Sequence, residues 1–508
     1  MVGYRECVST RLQGNYALAV AFALLGLCPD LVLSTGFMPL SRVITQDLGT
    51  SSTWLQVSTG LSNAAFAAGV VLAAQLAQRF VQRPLFLGYA ASFVVGSVLV
   101  ALASSIPLFV VGRVLQGGTT GLMMISALPP LITRFGVGRI PWSAAIVNIG
   151  LFGATTLGPF VGGSVAGSGS WRGLMWVIAA LGALALATAY LGYPVFDPID
   201  PDLPVDVPAL GLSFLSATLL FLATSVVAAT SLSSWKFFTP FVLGLVAMIV
   251  LIAVEARRHR PLIPVGELAT QLPVTGTLVA MVAGATFVTA VELTQLYLAD
   301  VAHTSPTAAG RLFWTMPVGL VPAALAFGLL FRTNLLPHLV NVGLLALVAG
   351  TALLLALDAS GTTSPVPWAA LLLGFGAGAT VAPGLFLAGL GVRSQLLGRA
   401  FALVQLLRLT ATFAVGPIVL YLAQQQTSRA EGVREGVWAT LALAVVGLVG
   451  SLVVPIVSGA RPHAPDLEAW LENDEHGLES PTVAVHLRPG VQDEKAHDLV
   501  PRWPRGRR

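Results

Sequence analysis

Fourteen long apolar runs divide this chain, near 16–39, 54–77, 84–104, 107–131, 142–166, 171–194, 208–230, 237–255, 272–298, 309–331, 335–357, 366–391, 399–423 and 436–458. A hydrocarbon core of about 30 Å is crossed by roughly 20 apolar residues in an α-helix, and the runs have that length. Membrane-crossing strands would alternate apolar and polar residues, whereas these runs are unbroken. Only 10% of the 508 residues are charged, against about 25% in soluble domains, too few to cover a water-facing surface. The expected fold class is an all-α polytopic membrane protein, and a soluble multidomain enzyme is excluded.

Basic residues give the orientation. With the N-terminus in the cytoplasm, the short inside segments hold Arg5, Arg11, Arg79, Arg83, Arg134, Arg139, Arg257, Arg258, Arg260, Arg332, Arg393 and Arg399. The outside segments hold Arg42, Arg172, Lys236, Arg311, Arg429 and Arg434. Twelve against six follows the positive-inside rule, with an even number of spans and both termini cytoplasmic. The first run follows Arg5 and Arg11 as a signal peptide would, but it is too long and no small-residue cleavage site follows, so an uncleaved span is expected. Two hydrophilic stretches complete the layout. Residues 196–207 read FDPIDPDLPVDV, an acidic linker punctuated by proline, and the tail from about Arg461 ends in PRWPRGRR. The expected organisation is a six-helix bundle over 1–195, a linker with two inserted spans and a basic loop over 196–271, a second six-helix bundle over 272–459, and a disordered cytoplasmic tail over 460–508 whose basic end can meet anionic lipid.

Four formal charges lie well inside the runs: Asp30, Arg113, Glu292 and Arg408. Each costs at least ~2.5 kcal/mol at the bilayer centre, so each needs a partner or a wet cavity. One acid and one base fall on either side of the acidic linker, the pattern of two bundles facing a shared site near the midplane. Arg113, Gln116, Gly117 and Thr120 share one helix face, as do Glu292 with Gln295 and Gln405 with Arg408 and Thr412; Asp30 with Ser34 is a weaker pair. A substrate cavity lined by Gln116, Gln295 and Gln405 is expected. A buried carboxylate suits proton coupling, because desolvation raises its proton affinity while a nearby cation lowers it; Asp30 and Glu292 both qualify. Paired charges that only fix helix register are the structural alternative.

Other chemistry finds little support. Cys7 and Cys28 form no framework, and His259, His303 and His338 are scattered without metal spacing, so no metal or cofactor is expected. Asp197, Asp200, Asp202 and Asp206 could suggest a metal–diphosphate site, but Pro198, Pro201 and Pro204 prevent the helix that would align them. The sequence has no phosphate-cradling GxxxxGK[ST] loop and no soluble catalytic domain, so neither ATP-driven transport nor enzymatic activity is expected. The basic balance, +4 overall, fits cytoplasmic loops and gives no reason to expect nucleic acid. Lys236 and Lys495 are the only lysines, a usage that suggests a high-GC, bacterial genome.

The fourth run reads GRVLQGGTTG, the fifth GPFVGG, and the sixth opens SWRGLMWV. Here the chain resembles the major facilitator superfamily, specifically its fourteen-span drug:proton antiporter family. Arg113, Gln116 and Gly117 match that family's fourth-helix RxxQG, and Gly158, Pro159, Gly162 and Gly163 match its fifth-helix antiporter motif. Trp171-Arg172, the Asp30-to-Pro39 spacing, the stretch Tyr297–Gly310 and Arg408 agree as well, so the resemblance covers roughly 16–458. One motif departs: the loop after the second span reads AQLAQRFVQR, keeping Arg79 and Arg83 as inner-gate residues but placing Gln78 where the family has an acid.

The resemblance implies a major-facilitator fold of two six-helix bundles plus two inserted helices. It also implies a secondary transporter in a bacterial plasma membrane that exports small amphipathic or drug-like compounds against protons, with membrane lipids as neighbours. Asp30 and Arg113 would form the relay of the first bundle, Glu292 and Arg408 its counterparts in the second, and Gly158-Pro159 the bend that seals one side. A monomer is the working expectation. Export of a lipid or metabolite, and a transport-inactive sensor, are the alternatives.

Overall fold

The computed structural model describes residues 13–195, 198, 200–258, 261–458, 464–472, 475–478 and 480–481. Arg5, Cys7, Arg11, Asp197, His259, Arg260 and the tail beyond 481 lie outside the described residues. Every expected run is helical, and among the described residues fourteen helices are long and apolar enough to span a membrane. They are α1 Tyr16–Asp47, α2 Ser52–Arg79, α3 Gln82–Ala101, α4 Ile106–Thr133, α5 Val137–Ser168, α6 Trp171–Gly192, α7 Val207–Ala229, α8 Trp235–Arg257, α9 Gln271–Asp300, α10 Pro306–Leu330, α11 Leu336–Ala356, α12 Val366–Leu390, α13 Ser394–Gln425 and α14 Arg429–Ile456. The end carrying the α2–α3, α4–α5 and α12–α13 turns is the one the arginines assign to the cytoplasm, and is called the inner end.

The two bundles repeat one packing scheme. In the first, α1 packs on α5 and α6, α2 on α4, and α3 on α4 and α6; in the second, α9 packs on α13 and α14, α10 on α12, and α11 on α12 and α14. The bundles meet along two seams, α5 with α10 and α2 with α13. The inserted α7 packs on both α2 and α13, so it covers one seam, while α8 packs on α7. Spans carry large apolar side chains outward, such as Phe238, Ile249, Leu329 and Ile456, as lipid contact requires.

Prolines inside the spans leave carbonyls without their helical N–H donor, and side chains of neighbouring helices fill three of these gaps. Thr35 Oγ1 donates to Thr155 O at 2.5 Å, the acceptor vacated by Pro159. Gln295 Nε2 donates to Thr35 O at 3.0 Å, vacated by Pro39. Tyr193 OH donates to Ser126 O at 2.6 Å, vacated by Pro130. The hydrogen-bond satisfaction that a membrane demands is thereby met between helices. The same device lets α1 run on to Asp47, beyond the expected end near 39, with Arg42 on its last turns. Asp47 then pairs with Arg172 and accepts Trp171 Nε1 at 2.9 Å, joining α1 to the start of α6.

The tail corrects one expectation. Disorder is expected from 460 onward, yet the described residues there, 464–472, 475–478 and 480–481, dock on the inner end of the second bundle. The short helix α15, Leu467–Glu472, buries Trp470 to 1% exposure, and Leu467 and Leu478 are buried too. Trp470 Nε1 donates to Val392 O at 2.9 Å and Leu478 N to Leu390 O at 3.0 Å. The stretch cannot make a core alone, but it borrows one from the α12–α13 turn.

Candidate functional site

The polar face expected on α4 forms a network. Arg113 Nη1 donates to Asp30 Oδ1 at 3.0 Å and to Gln116 Oε1 at 2.8 Å, and Gln116 Nε2 donates to Ser97 Oγ at 3.0 Å. The guanidinium lies 5.5 Å from the Phe37 ring centroid, a cation–π distance. Glycines bring the helices close enough for this: a Cβ on Gly117 would fall 2.2 Å from Ser62 O. Asp30 and Arg113 are 8% and 4% exposed. Such a pair is sustained only by good geometry and further hydrogen bonds, and removing one partner strands the other.

What exposure the pair keeps faces a cavity of about 70 Å³ between the bundles, lined also by Gln405, Arg408 and Thr412 of α13. Arg408 Nε donates to Gln405 Oε1 at 2.6 Å, and among the described residues no carboxylate lies within ion-pair distance of it. Two guanidinium groups and one carboxylate therefore face this space. The structure brings together Asp30, Arg113, Gln405 and Arg408 from opposite halves of the chain.

Glu292 is elsewhere. It lines a second cavity of about 510 Å³ bounded by α1, α2, α7, α9 and α13, with Phe221, Phe413 and Tyr421 in the wall. The lining runs from Glu292 to Ser52 and Gln424 at the outer ends of α2 and α13, so this cavity occupies the outer half of the seam beneath α7. Ser34, Thr59, Asn63 and Phe413 line both cavities and form the partition between them. The expectation that all four intramembrane charges face one shared site is thus corrected: Glu292 lies apart from the other three, against Gly416, whose missing side chain makes room for its carboxylate.

Two glutamines are corrected as well. Gln116 is fully buried in the Arg113–Ser97 network, and Gln295 is used across the bundles on Thr35 O. Neither lines the described cavities. Of the three expected, Gln405 does.

The fifth-helix motif faces two ways. Cβ atoms on Gly158 and Gly162 would fall 2.1 Å from Thr35 Oγ1 and 2.1 Å from Gly36 O, so these glycines dock α5 onto α1. One on Gly163 would fall 2.4 Å from Pro306 O, so this glycine docks α5 onto α10 of the other bundle. α5 stays a continuous helix through Pro159. The Gly163–Pro306 approach closes the outer half of the α5–α10 seam, and beside it Gln295 on Thr35 O ties α9 to α1.

At the inner end, Gln78 Oε1 accepts a hydrogen bond from Arg399 of α13, and Arg399 also donates to Pro261 O at 3.4 Å. Arg332 donates to Val137 O at 2.7 Å and Asn148 to Gly378 O at 2.7 Å, both between bundles. The inner end is closed. Arg79 lies over Phe80, and Arg83 donates to Tyr190 O at 2.8 Å, both within the first bundle. Of the residues in the loop motif after α2, the one that links the bundles is the Gln78 that departs from the family pattern. Sequence reasoning missed Arg399, Thr59, Asn63 and Phe413; the i, i+4 polar pair Thr59/Asn63 inside an apolar run was the available signal.

The Major Facilitator Superfamily sequence profile matches residues 21–417. The chain belongs to that superfamily. Its curated relatives include an uncharacterized MFS-type transporter, YubD, of Bacillus subtilis (strain 168), 27% identical over 82% of each chain. Another is the tetracenomycin C resistance and export protein of Streptomyces glaucescens, 28% identical over 58% of this chain and 54% of that one. The match to the export protein thus spans about half its length. Among solved structures, the human organic anion transporter MFSD10 superposes with a TM-score of 0.61 at 15% identity, covering 86% of this chain and all of that one. A POT family transporter reaches 0.65 at 13%, over 87% and 96%. At such identities these structures speak for the fold alone. The chain is a multi-pass major-facilitator transporter with fourteen spans, and its efflux-transporter relatives accord with the fourteen-span drug:proton antiporter type.

Proposed function

We propose that the protein is a proton-coupled exporter of small amphipathic, drug-like compounds, working by alternating access in a bacterial plasma membrane with both termini in the cytoplasm. The observation that carries this is the buried Asp30–Arg113 ion pair facing a cavity between the bundles. Its electrostatics have a sign. With Asp30 ionised, the cavity side chains sum to +1; protonating Asp30 breaks the pair and leaves +2. A cationic or electron-poor substrate is then disfavoured when the proton is bound, and mutual exclusion of proton and substrate is what exchange requires. Glu292 in the outer cavity is the second candidate for proton binding, on the route a proton would take inward. The moving bodies are residues 1–195 and 272–459, with 196–271 as the inserted hairpin, and the chain acts as a monomer among membrane lipids. Relatives named as multidrug resistance proteins of Mycobacterium tuberculosis and an export protein of Streptomyces glaucescens support the direction of transport.

Arg408 favours a second reading. A guanidinium without a carboxylate partner suits an anionic headgroup, as in a lipid or acidic metabolite. The sign then reverses: protonating Asp30 strengthens anion binding, so a proton gradient would not drive export. The inside-negative potential would, at about 2.3 kcal/mol per charge per 100 mV.

The test is proton flux in proteoliposomes under an imposed pH gradient, with cationic, neutral and anionic amphiphiles presented in turn. Cation-evoked proton movement lost on Asp30→Asn is the expected result. Undiminished gradient-driven transport by an Asp30→Asn/Glu292→Gln protein would refute the coupling. Export of anions driven by potential alone would establish the second reading.

A further inference from the structure

The docked tail touches both bundles. Its anchors are all on the second: Trp470 Nε1 on Val392 O, Leu478 N on Leu390 O, the backbone bridge between His476 and Arg393, and the start of α9, where Gln271 N donates to Pro481 O at 2.8 Å and Leu272 N to Ser480 Oγ at 3.2 Å. The segment is folded back on itself, Asp466 N donating to Gly477 O at 3.0 Å, so α15 is held at a fixed height over the turn. From there α15 lies against the Val137–Arg139 turn of the first bundle, where Val137 O accepts Arg332 and the α4–α5 connection closes the inner end. The core that receives Leu467, Trp470 and Leu478 is continuous with both bundles, and Val137 packs against it.

We propose that the docked tail, residues 464–472, 475–478 and 480–481, is a strap that holds the inner mouth shut and so sets the fraction of the protein facing inward. This rests on the alternating-access reading. Opening the inner mouth moves the Val137–Arg139 turn away from the α12–α13 turn; the strap is bonded to the latter and lies against the former, so one contact must be given up at each opening. The anchors are backbone hydrogen bonds and a buried indole, the contact with the first bundle is small, and the strap therefore stays with the second bundle while its edge releases. A domain-sized cytoplasmic partner is not needed for this control: removing one indole from its seat would relax it.

The test uses the full chain in vesicles with Cys7→Ser and Cys28→Ser as background and one added cysteine at a time. Ile125→Cys reports the inner mouth, where Ile125 is buried beside Gly398 of α13, and Gln56→Cys reports the outer cavity. Trp470→Ala and, independently, Leu478→Pro are each expected to raise the labelling rate at Ile125→Cys by about threefold to tenfold, the scale of one modest apolar contact between bundles. Labelling at Gln56→Cys should fall. Trp470→Phe, which keeps a ring but loses the bond to Val392 O, should lie between. A lowered melting temperature with both labelling rates unchanged would overturn the strap and leave the tail as mere packing. If Gln78→Leu, which cuts the separate bond to Arg399, also leaves both rates unchanged, alternating access falls with it.

Discussion

Gln78→Glu tests the inner gate most directly. Gln78 is 6% exposed and its side-chain oxygen accepts from Arg399 across the α2–α13 seam. A glutamate is nearly isosteric and turns a guanidinium-to-amide hydrogen bond, charged on one side only, into an ion pair. Two charges 4 Å apart attract by about 4 kcal/mol at an effective dielectric of 20, and desolvating the carboxylate at a nearly closed position removes much of that. Arg399 already feels Asp200, Glu255 and Glu267, which reduces the gain further. The remaining stabilisation of the closed inner mouth is about 1–2 kcal/mol, a population shift of roughly 5- to 30-fold. Alkylation of Ile125→Cys from the inner side measures it, and the rate should fall by that factor. Raising ionic strength should restore part of the rate, because the pair stays half-exposed on the Arg399 side. An unchanged or faster rate with Gln78→Glu, in protein of unchanged melting temperature, would refute the claim that this contact gates the inner end.

Further expectations follow from the same contacts. Arg113→Gln alone strands the Asp30 carboxylate and should cost about 3–5 kcal/mol of stability, whereas Asp30→Asn with Arg113→Gln should recover most of it, as thermal unfolding in detergent would register. Gln295→Leu removes the donor on Thr35 O and should weaken outer closure by about 1–3 kcal/mol, read as faster labelling of Thr155→Cys from outside. Gly162→Ala places a methyl 2.1 Å from Gly36 O; α1 and α5 must separate, with a loss of about 1–3 kcal/mol or more and a visible fall in melting temperature.

Span count and helix identity were legible because hydrocarbon imposes a length and forbids lipid-exposed loops, so fourteen apolar runs became fourteen helices. The α1–α4 pair was legible for a related reason: intramembrane charges are few, and Asp30 and Arg113 had only each other in the first bundle. What the sequence hid was which partner each polar residue takes. Glu292 and Arg408 sit on neighbouring helices in the chain's second half, yet they face different cavities, because rotation about each helix axis is set by packing at positions such as Gly416 and Gly284. Gln295 reads as cavity lining by its spacing with Glu292; only the Thr35 carbonyl, 260 residues away and freed of its helical donor by Pro39, redirects it. The docked tail was hidden for the opposite reason: its apolar content is too low to fold alone, and the borrowed pocket around Val392 has no signature in the sequence.

The vacated carbonyls carry a consequence for how the molecule can move. Thr35 O is satisfied by Gln295, and Thr155 O by Thr35 Oγ1, so α9, α1 and α5 are joined by two successive bonds on the outer half. Rocking the bundles apart there takes the donor from Thr35 O, and lipid has nothing to give in return. Water is the only replacement, and its bond is nearly as good once it has arrived. Outer opening is therefore a wetting event, whose rate-determining act is the entry of one or a few water molecules to an acceptor bared by a proline. Excluded osmolytes that dry such spaces should hold the protein shut, and dilute solution should let it breathe.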